Sequence, residues 1–372
     1  MSDDKYIAFD VHQVTTVISV LNASGREVKT AILPTQAQPL VAFLEGLRGT
    51  LHLTLEEGTY AAWLYDLLQG RVGKLIVCDP RHNALLKEGN KTDAGDARKL
   101  AELLRAGMLR AVYHGSRSLR ALQELAHAYE ALRDDTPRVM NRIKAFYRSR
   151  GIDCAGRGVY RQGQRASWLE RLPAGASRLR AELLHDELDQ VGSLRRKARR
   201  ALLTESRKHT VAARLRQIPG MGPLRVALLM AHVQTPHRFR SRRNFWTYVG
   251  LGVVYRGSSE YRLAGGHAVR RPQALQPRGL NPNHRPELKE IFKSAALTAI
   301  RRPGPFKNYY DLRLQQGVDP AILRVTVARK LAALTLSLWK TRRALPSPRS
   351  PASLARGAAS VTPATSFSTA HG

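Results

Sequence analysis

Lys5-Tyr6-Ile7-Ala8-Phe9-Asp10-Val11 is an apolar run with one acid placed where it ends, and its reading decides the fold of the N-terminal third. Its length and composition predict a strand. Val14 to Leu21 and Glu27 to Leu33 predict two more, joined across Asn22-Ala23-Ser24-Gly25, a turn sequence. A helical stretch from Ala37 to Arg48 leads to Thr50-Leu51-His52-Leu53-Thr54-Leu55, which alternates as a strand and ends at Glu56-Glu57. A second helix, Tyr60 to Gln69, precedes a fifth strand, Lys74 to Cys78. Further on, Lys91-Thr92-Asp93-Ala94-Gly95-Asp96-Ala97 opens a helix that runs to Arg105. Three hairpin strands followed by alternating helix and strand is the order of a ribonuclease-H-like, or RuvC-like, α/β domain.

The acids form a second pattern. Asp93 and Asp96 stand three apart at a helix start and share one face. Alone, such a pair reads as helix chemistry, with Thr92 or Asp93 capping and Asp96 complementing the dipole. With Asp10 ending the first strand and Glu56 or Glu57 ending the fourth, the acids fall on the carboxyl edge where open α/β sheets build their sites. Glu56 is preferred because it directly follows the apolar Leu55. Four carboxylates on one edge repel unless a divalent metal neutralises them. Hard oxygen ligands of this kind hold Mg²⁺ in two-metal phosphoryl transfer.

The balance of charge names the class of partner. The 372 residues carry 61 Lys plus Arg against 29 Asp plus Glu, a formal charge of +32. A polyanion is the expected partner, with nucleic acid ahead of an anionic membrane surface. The start, Met1-Ser2-Asp3-Asp4-Lys5, lacks the basic region and apolar core of a secretory signal. The most apolar late segment, Ala321 to Trp339, is interrupted by Arg324, Arg329 and Lys330 and reads as a buried helix, not a membrane span. Cys78 and Cys154 have no Cys or His beside them at metal-ligand spacing, so a reducing cytoplasm, near the nucleoid, is the expected location, without structural zinc.

Four regions are expected: an acid-bearing α/β domain over 1–115, a basic helical arm over 116–210, a mainly helical C-terminal domain over 211–340, and a disordered tail over 341–372. In the arm, Leu119, Leu122, Leu125, Tyr129 and Leu132 recur at helical spacing, and Arg138 and Arg142 ride with the same helix as phosphate contacts. The Leu-rich segment 179–202 suits packing on another helix, including one from a second protomer. Next, Ile218-Pro219-Gly220-Met221-Gly222-Pro223 before the helix Leu224 to Val233 has the shape of a helix-hairpin-helix turn, in which Gly220 and Gly222 admit a phosphate. An ordinary Pro-Gly turn between packed helices is the competing reading. Arg238, Arg240, Arg242 and Arg243 interleave with aromatics up to Trp246, a pattern that grips backbone and stacks on bases, with Phe245 and Trp246 assigned to the core. Arg262 to Pro277 reads as a basic loop and Pro303 to Gln316 as a link to the last helix.

Several of these stretches resemble a known family. Phe9-Asp10-Val11-His12, Glu56-Glu57-Gly58-Thr59-Tyr60, and Asp79-Pro80-Arg81 with Lys91-Thr92-Asp93 and Asp96-Ala97 resemble the motifs of the DEDD transposases, the bridge-RNA-guided recombinases of insertion sequences of the IS-one-ten type. Ile218 to Gly222, Gly250-Leu251, Ser258, and Arg278-Gly279-Leu280-Asn281 with Leu288 to Ala296 resemble the C-terminal transposase domain of that family. On its residues alone Ser258 reads as part of a polar turn. The resemblance implies a metal-binding tetrad of Asp10, Glu56, Asp93 and Asp96, and a nucleophile at Ser258, with Ser259 the competitor. Activation of the serine would fall to metal or to a cation such as Arg256. It also implies a homo-oligomer with a composite active site, donor and target DNA as substrates, and a noncoding guide RNA. Two rivals remain: a RuvC-like structure-specific endonuclease using the acids and water, and a nonenzymatic nucleic-acid-binding protein.

Overall fold

A computed structural model describes residues 3–80, 92–114, 119–256, 261–264, 267–270 and 276–341. The chain divides into two compact units, Met1–Ser116 and Arg117–Gly372.

The first unit is built on strands β1 (Asp4–Val11), β2 (Thr15–Asn22), β3 (Glu27–Pro34), β4 (Thr50–Glu56) and β5 (Lys74–Cys78), with helices α1 (Ala37–Glu45), α2 (Ala61–Leu68) and α3 (Asp93–Arg105). The sheet order is β3-β2-β1-β4-β5. β2 lies antiparallel to both β1 and β3, whereas β4 is parallel to both β1 and β5. Period-two alternation divides the two faces. Ile7, Phe9, Leu53 and Leu55 bury one face against Leu40 and Leu44 of α1 and Leu64 and Leu68 of α2. The opposite face, with Ala8, Leu21 and Cys78, packs against Leu100 and Ala101 of α3. Ala8, Ala97 and Ala101 are fully buried. Their small side chains let α3 lie close to the sheet, which brings its first turn to the end of β1.

The second unit is mainly helical: α4 (Arg120–Arg148), α5 (Arg165–Leu169), α6 (Ala176–Arg207), α7 (Thr210–Leu215), α8 (Pro223–Val233), α9 (Arg242–Tyr248), α10 (Pro286–Arg301), α11 (Pro305–Gln315) and α12 (Pro320–Lys340). Strands β6 (Val253–Arg256), β7 (Tyr261–Ala264), β8 (His267–Arg270) and β9 (Gln276–Leu280) are inserted before α10. The long helices α4 and α6 do not stand apart as an isolated arm. Leu122 and Ala126 of α4 and Leu202 of α6 join one core with Val226, Phe245, Phe292 and Leu331 from the later helices. Phe245 is fully buried and Trp246 packs partly against the same core. Further along α4, Val139, Ile143 and Tyr147 form a separate cluster with Trp168 and Ala181. Both cysteines are buried, and no disulfide joins them. Among the described residues no helix is long and apolar enough to cross a membrane.

Two expectations need correction. Arg262 to Pro277 is not simply a loop: β7 pairs antiparallel with β8, and β9 pairs with β6. The signal was present, since Gly265-Gly266 between two four-residue runs marks a hairpin, but the basic composition obscured it. Nor is Pro303 to Gln316 a mere link, because Pro305 sits at the first turn of α11, where its missing N–H costs nothing. The tail expected to be disordered lies, from residue 342 on, outside the described residues.

His185 gives the second unit a pH dependence. It is buried, with Nε2 3.3 Å from the Tyr147 hydroxyl. Burial pushes its pKa down, and Arg165 adds to the shift, against the opposing pull of Asp189 and Asp186. The unfolded chain therefore takes up a proton first, so this stability is complete above about pH 6.5 and declines as the pH falls below it. His185→Gln is expected to flatten the loss between about pH 7 and pH 5 in urea denaturation, relative to wild type.

A candidate metal centre at the sheet edge

The parallel register of β1 and β4 pairs Phe9 with Leu55, so the next residues, Asp10 and Glu56, fall side by side at the carboxyl ends. Alternation puts both on the face that α3 covers, together with Ala8. Glu57 belongs to the other face. Its Oε2 lies 2.8 Å from His114 Nε2, and the His114 ring stacks on Tyr65 of α2 at 4.8 Å. Strand geometry thus separates two adjacent glutamates that sequence alone left open.

At the start of α3 the cap is Thr92, whose Oγ1 accepts the Gly95 N–H at 3.2 Å. Capping is therefore done without either aspartate, and Asp93 and Asp96 occupy the first turn. His12, one residue beyond β1, completes the group. Its Nε2 lies 3.3 Å from Asp10 Oδ2 and 3.6 Å from Asp93 Oδ2. One ligand atom from each of Asp10, His12 and Asp93 lies within 4.8 Å of the others. Burial pushes the Asp10 carboxyl up; His12 opposes the rise, while the charges of Asp93 and Asp96 reinforce it. Asp96 Oδ1 is buried with no hydrogen-bond partner among the described residues. A cation would relieve both the repulsion at Asp10 and the unpaired oxygen of Asp96. His12 was not singled out as a ligand from sequence because strand periodicity stops at Val11. Its signal was its place directly after an acid-ended strand.

The residues expected to hold nucleic acid are of several kinds. Arg138 pairs with Asp135 on its own helix at 2.8 Å, and Arg142 reaches Glu187 of α6 at 2.5 Å, so both already have carboxylate partners. Arg238 lies over the Tyr248 ring at 4.7 Å. Arg240, Arg242 and Arg243 are exposed, and the last two open α9, the end of a helix that disfavours cations. That placement gains when an anion approaches the same end. Arg196, Arg199, Arg200 and Arg207 of α6 line a shallow cleft with Leu203 and Thr204, a group the sequence reading did not separate from its charged surroundings. Ser258 and its competitor Ser259 lie outside the described residues, as does the Arg256 side chain, although the backbone of Arg256 closes β6.

Gly220 and Gly222 have different jobs. Gly220 has φ +81°, and a Cβ there would stand 2.3 Å from the Ala295 carbonyl oxygen. Its close approach is to α10, whereas Gly222, at the N-cap of α8, has open space around it. Gly220→Ala is expected to cost about 2–4 kcal/mol in urea denaturation, combining a strained backbone with an overpacked contact. Gly222→Ala is expected to cost less than about 1 kcal/mol.

An acid-lined sheet edge in a chain of such strong positive charge points to enzymes acting on nucleic acid, and comparison with known proteins gives the family. A DEDD transposase profile of IS110 type matches residues 7–149, and the profile of the transposase IS116/IS110/IS902 family matches residues 212–311. The chain belongs to this IS110 (IS-one-ten) family of transposases. It is 30% identical over 166 residues to a Sinorhizobium fredii protein that bears the provisional transposase name y4pF/y4sB, covering 43% of this chain and 42% of that protein. It is 26% identical over 171 residues to an uncharacterized 44.8 kDa protein of insertion element IS116 from Streptomyces clavuligerus, covering 45% of this chain and 39% of the relative. The matched region thus spans about two fifths of each relative's length.

Proposed function

We propose that this protein is a DNA recombinase that cuts and rejoins strands to mobilise an insertion sequence. The first unit is read as a ribonuclease-H-like, RuvC-like domain. The observations that support the reading are the ligand atoms of Asp10, His12 and Asp93 within 4.8 Å of one another, the charge of Asp96 felt at Asp10, the unpartnered Asp96 oxygen, and the place of Glu56 at the end of the strand beside β1. These four residues would hold a divalent cation, Mg²⁺ in the first instance. When bound, it would neutralise the scissile phosphate and stabilise the attacking and leaving oxygens. Asp10 and Glu56 would present their carboxylates from neighbouring strand ends, and Asp93 and Asp96 from a capped helix, so that the donors would be positioned before substrate arrives.

Ser258 is assigned as nucleophile on the strength of the family. Its Oγ forms a bond to phosphorus as the bond to the departing sugar oxygen breaks; the serine proton passes to a base, and the sugar oxygen takes up a proton. On rejoining, a sugar hydroxyl of the new strand attacks the phosphoserine and the serine oxygen is released. One phosphodiester is exchanged for another without external energy.

Donor and target DNA are the proposed substrates, a noncoding guide RNA the proposed partner, and the cytoplasm, near the nucleoid, the proposed location. A homo-oligomer is supported by Leu179 and Leu183 of α6, which are exposed by 56% and 61%. The reading is tested by DNA cutting with Asp93→Asn and Ser258→Ala proteins. For DNA contact, Arg240, Arg242 and Arg243 are the expected anchors. Replacing all three with Ala should weaken binding to every duplex alike and reduce the slope of log K against log salt by up to about 2.7, at about 0.9 per phosphate contact. Fluorescence anisotropy across a salt series checks this.

A further inference from the structure

We propose that His12 is a direct ligand of the cation at the sheet edge, so that the site has a mixed oxygen and nitrogen donor set and prefers a first-row transition ion, such as Mn²⁺, over Mg²⁺. The inference rests on the metal-site reading above and adds a donor that the acidic tetrad does not contain.

Geometry argues first. The His12 Nε2 lies 3.3 Å from Asp10 Oδ2 and 3.6 Å from Asp93 Oδ2. These separations are long for a charge-assisted hydrogen bond, which runs about 2.7–2.9 Å. Nε2 has oxygens of two carboxylates at similar distances. Donors about 2.1 Å from an octahedral ion stand about 3 Å apart when adjacent, and both His12 distances lie within about 1 Å of that separation.

The backbone of His12 is fixed for this task. Its N–H donates to the Thr15 carbonyl at 2.9 Å, and its own carbonyl accepts from the Thr35 hydroxyl at 2.9 Å. The Thr35 hydroxyl in turn lies 2.9 Å from that of Thr16 on β2. The turn after β1 is thereby tied to β2 and to the segment after β3, and the imidazole is held beside the acids before any ion arrives.

The chemistry gives the preference. Mg²⁺ takes oxygen ligands and keeps several waters, whereas imidazole suits first-row transition ions. An imidazole among carboxylates should therefore raise affinity for Mn²⁺ while adding little for Mg²⁺. If His12 only neutralised neighbouring carboxylates, its removal would change both affinities together.

The test uses the full chain and MnCl₂ as probe. Mn²⁺ binding is measured by electron paramagnetic resonance, Mg²⁺ by competition, and the ligands of bound Mn²⁺ by electron spin echo modulation. Wild-type protein should show ¹⁴N modulation from a coordinated imidazole. In His12→Asn and His12→Ala proteins the modulation should vanish, with Mn²⁺ affinity falling about tenfold and Mg²⁺ affinity changing less than about twofold. The inference is overturned if wild-type Mn²⁺, bound at a site that Asp10→Asn abolishes, shows no ¹⁴N modulation, or if the signal persists in both His12 variants. If Asp10→Asn and Asp93→Asn bind Mn²⁺ as wild type does, the metal-site reading fails as well, which is a separate result.

Discussion

Replacing Asp93 with Asn is expected to abolish DNA cutting, lowering the rate by at least about 10³-fold, while leaving the protein folded. Asn keeps the size of the side chain and removes the charge that a cation needs, so the loss falls on stabilisation of the reacting phosphate. Asp10→Asn should do the same, and it carries an internal control. Burial and the neighbouring acids raise the Asp10 pKa in the folded protein above its value in the unfolded chain. Its contribution to stability is therefore complete at low pH and is lost as the pH rises through the folded pKa. At neutral pH without divalent ions, ionised Asp10 is a cost that Asn lacks. The Asp10→Asn protein should melt about 1–3 °C higher than wild type in a chelator, although it cuts no DNA. A variant inactive through misfolding would melt lower, and a nonenzymatic protein would show no cutting to lose.

Ser258→Ala is expected to eliminate the covalent protein–DNA product and all rejoining, also by about 10³-fold or more, with DNA binding unchanged. Ser259→Ala should retain both. The readout is labelled DNA that stays with the protein on a denaturing gel after proteolysis is omitted. If the Ser258→Ala protein cuts at the wild-type rate, the acids act with water alone, and the chain is a nuclease. The two variants separate the two halves of the proposal: loss at Asp93 with retention at Ser258 leaves the metal chemistry and removes the serine.

How far the sequence could be read followed from how local each signal was. Strand periods placed all five strands of the first unit to within two residues, because alternating Ile7, Phe9, Leu53 and Leu55 bury one face. The acidic edge was legible because it needs only the order of strand ends. The choice of Glu56 rests on its place after Leu55; the β1–β4 register puts it next to Asp10 in the sheet, while Glu57 pairs with His114. His12 was passed over because a residue in a turn has no period, and its ring reaches Asp93, far along the chain. The sequence at Gly220 leaves a phosphate contact and a turn between packed helices both open, because a Pro-Gly turn looks alike whether DNA or α10 lies against it. The β7–β8 hairpin was missed since four-residue strands carry too few alternations to outweigh a basic composition. The sharing of one core by α4, α6 and the later helices depends on long-range packing that a heptad count does not reach.

The proposed donors at the sheet edge come from three separate segments, around positions 10–12, 56 and 93–96, which the β1–β4 pairing and the small-residue contact under α3 hold in the folded unit. An unfolded chain has no such assembly, so an ion held by the proposed site would be a ligand of the native state alone. By mass action it then shifts the folding equilibrium by RT ln(1 + [L]/Kd), about 2.7 kcal/mol when free ion is a hundred times Kd. Cellular metal supply would set the persistence of the first unit as well as its activity, so that depletion leaves the protein both inactive and easier for proteases to remove.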